Sequence, residues 1–107
     1  MSKEVNDANF DSKVLKSSKH TPIIVFFWAP WSNPCQTLSP ILEKLEKDCR
    51  GKFFLAKLNV DSNKEKSKEF AIRGIPAVKM FKDGKPVAEF VGSMSELSIR
   101  KWLDANL

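Results

Sequence analysis

Apolar residues in this chain fall into two patterns: short continuous runs, and longer stretches with helical spacing. The run Ile23–Trp28 contains no polar position, which predicts a strand buried on both faces of a sheet. After Pro34 the apolar positions recur every three or four residues, which predicts a helix that ends at Gly51. Pro40 lies inside this helix and is expected to kink it. The predicted inward face comprises Leu38, Ile41, Leu42, Leu45 and Cys49.

The first part of the chain and the segment after residue 60 also carry helix signals. Val5 is assigned to a short edge strand, and Asp7 or Asn9 is predicted to cap a first helix. Asp61 or Ser62 is the predicted cap of a later helix that runs through Phe70 and Ala71 and stops before Gly74. The inward residues of the first helix are Phe10, Val14 and Leu15.

Three more strands and a last helix complete the prediction. The strands are expected at 53–60, 76–81 and 87–91. Asp83–Gly84 is typical of the tight turn of a β-hairpin and should join the last two strands. Ser95 is the expected cap of the final helix. The inward face of that helix is predicted to contain Ile99, Trp102, Leu103 and Leu107.

The order of these elements determines the fold class. Strands and helices alternate in the first half, and a hairpin and a helix follow, so we predict an α/β protein with a mixed sheet and helices on both faces. The 107 residues suffice for one domain, 1–107, with one core.

The candidate chemistry lies where the first buried strand meets the long helix. Pro34 suits the first turn of a helix, so residue 32 should face unpaired backbone N–H groups and the positive end of the helix dipole. This environment lowers the pKa of a thiol and makes it nucleophilic. The residue there is Ser32, and the nearest thiol in sequence is Cys35.

This stretch resembles the active site of the thioredoxin family, whose pattern is Trp-Cys-x-Pro-Cys after a hydrophobic strand. The resemblance extends over essentially the whole chain, and it implies a thioredoxin fold with about five strands flanked by four helices. The implied function is thiol–disulfide redox homeostasis. The matching residues are Trp28, Ala29, Pro30, Trp31, Pro34, Cys35, Lys57, Asp61, Gly74, Ile75, Pro76, Asp83, Gly84 and Gly92.

The resemblance also shows where this chain departs from the family. Ser32 replaces the attacking cysteine, whereas Cys35 matches the resolving one. Phe26 replaces the buried aspartate that takes the proton of the resolving thiol, and Asn33 replaces a small residue. Lys57, which lies near that aspartate in the family, is retained, and on its own it is also explained as a strand lysine that extends to solvent. A serine hydroxyl stays protonated at neutral pH and forms no disulfide, so a dithiol cycle is impossible for this sequence.

The residues that the family uses to bind substrate are retained. Ile75–Pro76 resembles the family's cis-proline, which implies that the Ile75 backbone is free to pair with an extended peptide. Trp31 is expected to be an exposed contact, and Trp28 and Trp102 to be packing residues. The apolar rim implied by the resemblance is Trp31, Val60, Gly74, Ile75, Val91 and Gly92.

Three functional hypotheses follow. The first is a protein that binds extended peptide or protein substrates and has little or no disulfide-reductase activity. The second is a monothiol enzyme that acts through Cys35, with glutathione as a partner. The third is a protein-disulfide reductase in which serine has been introduced for a natural cysteine at position 32. Its partner would be thioredoxin reductase. Cys49 lies about 21 Å from Cys35 along the helix and cannot pair with it.

Composition excludes several other classes. The net charge of +5 comes from lysines interleaved with acidic residues, which favours solvated faces over a nucleic-acid or membrane surface. His20, the single histidine, has no neighbours at metal-ligand spacing, so we expect no metal and no cofactor. The N-terminus has no apolar signal core, which favours a cytoplasmic location, or an organelle matrix if a leader was removed. We expect the protein to be a monomer.

Overall fold

The computed structural model describes residues 3–107, and a five-stranded sheet runs through its centre. The strand order is β1-β3-β2-β4-β5; β1, β3 and β2 are parallel, and β4 and β5 are antiparallel to their neighbours. The strands are β1 Lys3–Val5, β2 Ile23–Trp28, β3 Phe54–Asn59, β4 Ala77–Lys82 and β5 Lys85–Val91. The predicted mixed sheet and α/β class are confirmed.

Helical segments cover both faces of this sheet. Three are α-helices: α1 Asn33–Asp48, α2 Lys64–Glu69 and α3 Glu96–Asn106. The predicted first helix has a different form, because Asp11–Lys16 is a π-helical segment followed by the 3₁₀ turn Ser17–Lys19. α1 continues through Pro40.

Strand β2 lies at the centre of the hydrophobic core and separates it into two clusters. Ile24 and Phe26 pack on one side with α1 and α3, and Val25 and Phe27 pack on the other with the π-helical segment. All four side chains are buried. The continuous apolar run is explained as predicted, because helical segments cover both faces of the strand.

The caps of the π-helical segment and of α2 differ from the predicted ones. Asn9 forms a reciprocal pair of hydrogen bonds with Asn6, each side chain accepting from the other's backbone N–H at 2.8 Å. The Asp7 carboxylate accepts the backbone N–H groups of Glu65 and Lys66 at 3.2 and 2.9 Å. Asp7 therefore satisfies orphan N–H donors at the start of α2, the role predicted for Asp61 or Ser62.

Two further predictions about helices are wrong in detail. α2 ends at Glu69, and the following Phe70 turns into the core, where its ring packs on those of Phe10 and Phe81. Leu107 follows the last turn of α3 and is 39% exposed, so it is not part of the inward face. Ile99 and Leu103 of that face are buried as predicted.

The hairpin between β4 and β5 follows the prediction. Asp83 and Gly84 both have positive φ, 53° and 83°, as the two central residues of a type I′ turn require. Aspartate and glycine tolerate this conformation better than most residues.

Candidate functional site

The junction between β2 and α1 is built around the side chain of Ser32. Ser32 is the N-cap of α1, and its Oγ accepts the backbone N–H of Cys35 at 3.3 Å. Its own N–H donates to the carbonyl of Ala29 at 3.1 Å. Pro34 occupies the first turn, where no intrahelical donor is lost. Ser32 is 4% exposed, so the hydroxyl serves the helix terminus and is not presented to solvent.

Cys35 lies in the first turn of α1 and is part of the core. The residue is 2% exposed and belongs to the same cluster as Phe26 and Leu38. Both cysteines are free thiols, and Cys49 is half-buried near the opposite end of α1. The site therefore presents no thiol at the surface.

Phe26 occupies the sheet directly beneath this junction. It is 1% exposed and is in register with Lys57 of β3 on one side and Val78 of β4 on the other. Its ring packs in the apolar cluster that contains Cys35. Burying an aromatic side chain of this size stabilises the fold by about 2–3 kcal/mol, whereas a carboxylate there would need partners.

Lys57 connects the sheet to α1 through its ammonium group. Nζ donates to Ser39 Oγ at 2.7 Å and to Glu43 Oε2 at 2.8 Å. The hydrogen bond from Lys57 lowers the pKa of Glu43 below its ordinary value, as does a weaker bond from Ser39. Lys57 is thus held by a carboxylate and a hydroxyl of the helix, which the sequence pattern did not predict.

A crevice of about 240 Å³ opens beside Cys35, between the sheet edge and α1. Its lining comprises Glu4, Phe26, Trp28, Cys35, Gln36, Ser39 and Lys57. Burial raises the pKa of Glu4, and the Trp28 indole and the Lys57 charge partly oppose that shift. The Trp28 Nε1–H is buried and forms no hydrogen bond of good geometry among the described residues, so its effect on Glu4 is that of a nearby dipole.

On the opposite side of the site, the chain turns at Ile75–Pro76 before entering β4. The Ile75–Pro76 peptide bond is cis, and the Pro76 carbonyl accepts the N–H of Gly92 at 2.7 Å. The backbone N–H and C=O of Ile75 have no hydrogen-bond partner within residues 3–107. Because Ile75 is only half-buried, these groups are available to another chain.

Trp31 is the most prominent apolar surface of the site. The residue is 68% exposed, yet its indole Nε1–H donates to both carboxylate oxygens of Asp61, at 3.1 and 3.3 Å. The role of Asp61 as the anchor of Trp31 was missed from the sequence. A signal was available, because both residues follow neighbouring parallel strands at their carboxyl ends.

The other predicted rim residues lie in two places. Val60 follows β3, is half-buried, and donates its N–H to the Trp28 carbonyl at 2.9 Å. Gly74 and Val91 lie together beside Ile75, and a Cβ added to Gly74 would lie 3.4 Å from Val91 Cγ1. Val91 is 63% exposed, and Gly92 has a φ of 92°, which favours glycine.

Other features of the described residues do not compete with this site. A larger cavity, about 550 Å³, lies beside the first residues of β2 and β3 and contains no cysteine. Within residues 3–107, no three His, Cys, Asp or Glu side chains are grouped as metal ligands, and His20 is exposed. The same part of the chain has no helix whose length and apolar character would let it cross a bilayer.

Fold and site together define a class: an α/β protein with a Trp-x-x-Pro-Cys loop between a central strand and a long helix, facing an Ile-Pro turn. The family model described as Thioredoxin matches residues 1–105. The chain is 39% identical to "Thioredoxin" of Pseudomonas aeruginosa over 103 residues, which is 96% of this chain and 94% of the relative. It is 38% identical to "Thioredoxin" of Rickettsia bellii over 107 residues, the full length of both proteins. It is 42% identical to "Thioredoxin" of Acidithiobacillus ferridurans over 103 residues, which is 96% of this chain and 94% of the relative. This chain belongs to the thioredoxin family.

Proposed function

We propose that this protein binds extended segments of cysteine-containing proteins and releases them without a dithiol reduction cycle. The observation that carries the proposal is the state of residue 32, a buried serine whose Oγ already accepts the Cys35 N–H. Thiol–disulfide exchange needs an accessible thiolate to attack and a second thiol to resolve the mixed disulfide. Ser32 supplies neither, and Cys35 is buried.

Substrate binding has separate support from the exposed groups around the site. The free backbone groups of Ile75 offer an extended peptide one donor and one acceptor, which is how peptides add to the edge of a sheet. Trp31 adds a large exposed ring whose orientation is fixed by Asp61. A ring that is already oriented loses little conformational entropy on binding.

A second candidate is a protein-disulfide reductase whose working form has cysteine at position 32. The names of the relatives favour it, as does the position of residue 32 at the N-terminus of a 16-residue helix, where a thiol pKa is lowered. Thioredoxin reductase would then be the partner. The monothiol alternative with glutathione has weaker support, because Cys35 is 2% exposed.

Calorimetric titration of the full chain with an extended peptide containing one S-methylated cysteine tests the proposed function. The blocked cysteine removes exchange chemistry, so only binding is measured. Trp31→Ala is expected to weaken the affinity about tenfold, or ~1.4 kcal/mol, as for a central aromatic contact. The matched control is Leu97→Ala, which removes a side chain of similar exposure from α3 and should leave the affinity within about twofold. Failure of the peptide to bind, or equal affinities for all three proteins, would contradict the proposal.

A further inference from the structure

Any reaction of Cys35 requires a place for its proton. The thiolate is the species that attacks a disulfide, so the S–H bond must break before or during the attack. Cys35 is 2% exposed, and the ring of Phe26 in the same cluster accepts no proton. The acceptor must therefore lie elsewhere in the surroundings of this thiol.

The crevice beside α1 is the route that the structure offers. Its lining contains the buried Cys35 and Phe26 as well as the exposed Glu4 and Gln36, so it extends from the surface to the thiol. A volume of about 240 Å³ is enough for several water molecules, since one occupies ~30 Å³ in the liquid.

Glu4 is the one carboxylate among the described residues that line this crevice. It is in register with Lys57, and Lys57 with Phe26, so the three side chains form a row on the sheet face that α1 covers. The Lys57 ammonium is a hydrogen-bond donor and already donates to Ser39 and Glu43. Glu43 is the other acidic side chain near Lys57, and its carboxylate is engaged by this bond. The Trp28 indole is also a donor, which leaves Glu4 as the group able to take a proton.

We propose that Glu4 accepts the Cys35 proton through water in this crevice, in place of a carboxylate at position 26. The Cys35 S–H bond breaks, the proton passes through water to the Glu4 carboxylate, and the electron pair stays on sulfur. The sulfur then attacks the residue-32 sulfur of the mixed disulfide, a disulfide forms between residues 32 and 35, and the substrate sulfur leaves as a thiolate with the electron pair of the broken S–S bond. This inference rests on the second candidate function, since the mixed disulfide needs cysteine at position 32.

The test uses Ser32→Cys in a Cys49→Ser background, with and without Glu4→Gln. A chromophoric aromatic disulfide forms the mixed disulfide with the new thiol, and attack by Cys35 then releases the second chromophore, whose absorbance gives the resolution rate across a pH series. Glu4→Gln should slow release at least about tenfold at neutral pH and make the rate more dependent on hydroxide, because a general base has been removed. Glu4→Asp should recover part of the rate.

Electrostatics alone predicts the opposite direction, which makes the test decisive. Removing a negative charge beside a thiol lowers its pKa and should speed the release. An unchanged or faster release in Glu4→Gln therefore overturns the proposal. Lys3→Gln is the matched control, since Lys3 lies on the same short strand in register with Ala56, on the opposite face of the sheet, and it should leave the rate within about twofold.

Unfolding does not confound the comparison. Partial burial raises the pKa of Glu4 above its ordinary value of 4.5, so the folded state holds this proton more tightly than the unfolded chain does. That contribution to stability is complete below pH 4.5 and disappears as the pH rises through the folded pKa. Glu4→Gln is thus not expected to destabilise the fold at neutral pH, which thermal unfolding checks. The peptide titration above uses Ser32 and a blocked cysteine, so either proposal can fail without the other.

Discussion

The two sides of the site differ in how their polar groups are used. On the β2–α1 side, Ser32 and Cys35 are buried, the Cys35 N–H donates a hydrogen bond to Ser32 Oγ, and Phe26 fills the space below with an aromatic ring. Across from them the backbone groups of Ile75 have no partner in the described chain, and at the rim of the β2–α1 loop the Trp31 ring is exposed. The first side has the properties of a finished core and helix cap, and the second those of an unoccupied binding surface.

This difference indicates what a serine at position 32 and a phenylalanine at position 26 do for the fold energetically. Serine is among the best N-cap residues, and a buried phenylalanine adds apolar contact without an uncompensated charge. Both residues suit the stability of the fold, and both remove a group that thiol chemistry requires. The proposed peptide-binding surface, by contrast, has unsatisfied backbone groups at Ile75. Different residues therefore carry peptide binding and thiol chemistry in this account, and variants should be able to change the peptide affinity and the reaction rate independently.

The largest expected effect comes from placing a cysteine at position 32. Ser32→Cys should form a disulfide with Cys35 and raise insulin reduction by thioredoxin reductase and NADPH at least about 100-fold above the parent, whose serine cannot enter the cycle. Activity is expected to remain below that of an ordinary thioredoxin, because position 26 has no carboxylate. Parent activity within tenfold of an ordinary thioredoxin would contradict this account.

Accessibility of Cys35 gives the next largest effect. In Cys49→Ser, Cys35 should react with a bulky maleimide at least about 100-fold more slowly in the native protein than in denaturant, because labelling requires local opening of a buried site. Mass spectrometry over a time course measures both rates. Native labelling as fast as that of a free thiol would instead support the monothiol enzyme.

Phe26→Asp should make the protein less stable and its mixed disulfide faster to resolve. In the Ser32→Cys background it is expected to speed resolution of the mixed disulfide and to lower the free energy of unfolding by about 3 kcal/mol, since a charge replaces a ring that is 1% exposed. Denaturant unfolding and stopped-flow release measure the two effects. Phe26→Leu is the control, which should lose stability without gaining rate.

The same background sharpens the role of Glu4. With an aspartate at position 26 closer to the thiol, Glu4→Gln should have a smaller effect on the rate than it has with Phe26. Equal rates for Phe26→Asp and its parent would show that Phe26 is no handicap to resolution.

The smallest predicted effect concerns the helix cap. Ser32→Ala removes the oxygen that accepts the Cys35 N–H and should cost about 1 kcal/mol of stability, measured by urea unfolding. Ser95→Ala is the natural comparison, because Ser95 accepts the Ser98 N–H at 3.2 Å as the cap of α3. If Ser32→Ala leaves the free energy of unfolding unchanged while Ser95→Ala lowers it, then the cap hydrogen bond of Ser32 does not stabilise the fold.

Much of this architecture was predictable because its causes are local. The apolar run of β2, the spaced face of α1 and the Asp83–Gly84 turn each depend on neighbours within a few residues. Asp7 was misassigned because the backbone N–H groups that it accepts, those of Glu65 and Lys66, lie 58 and 59 positions further along, where no local pattern indicates them. The π-helical form of Asp11–Lys16 was likewise invisible in the spacing of Val14 and Leu15.

The candidate site shows the same division between local and distant causes. Ser32, Cys35 and the Ile75–Pro76 turn were identified from short motifs. The Trp31–Asp61 bond spans 30 positions, and Glu4 reaches the Cys35 crevice only because β1 pairs with β3 beside Lys57. Such contacts depend on strand order, which the sequence pattern alone left undetermined.

The most direct test of the separation between binding and reaction is a ¹H–¹⁵N NMR titration of the unmodified chain with an extended peptide that contains a disulfide. The account predicts saturable shifts at Trp31, Ile75 and Gly92, little change in α3, and a peptide whose disulfide is intact at the end of the titration. Reduction of the peptide, or shifts confined to residues away from Ile75 and Trp31, would contradict it.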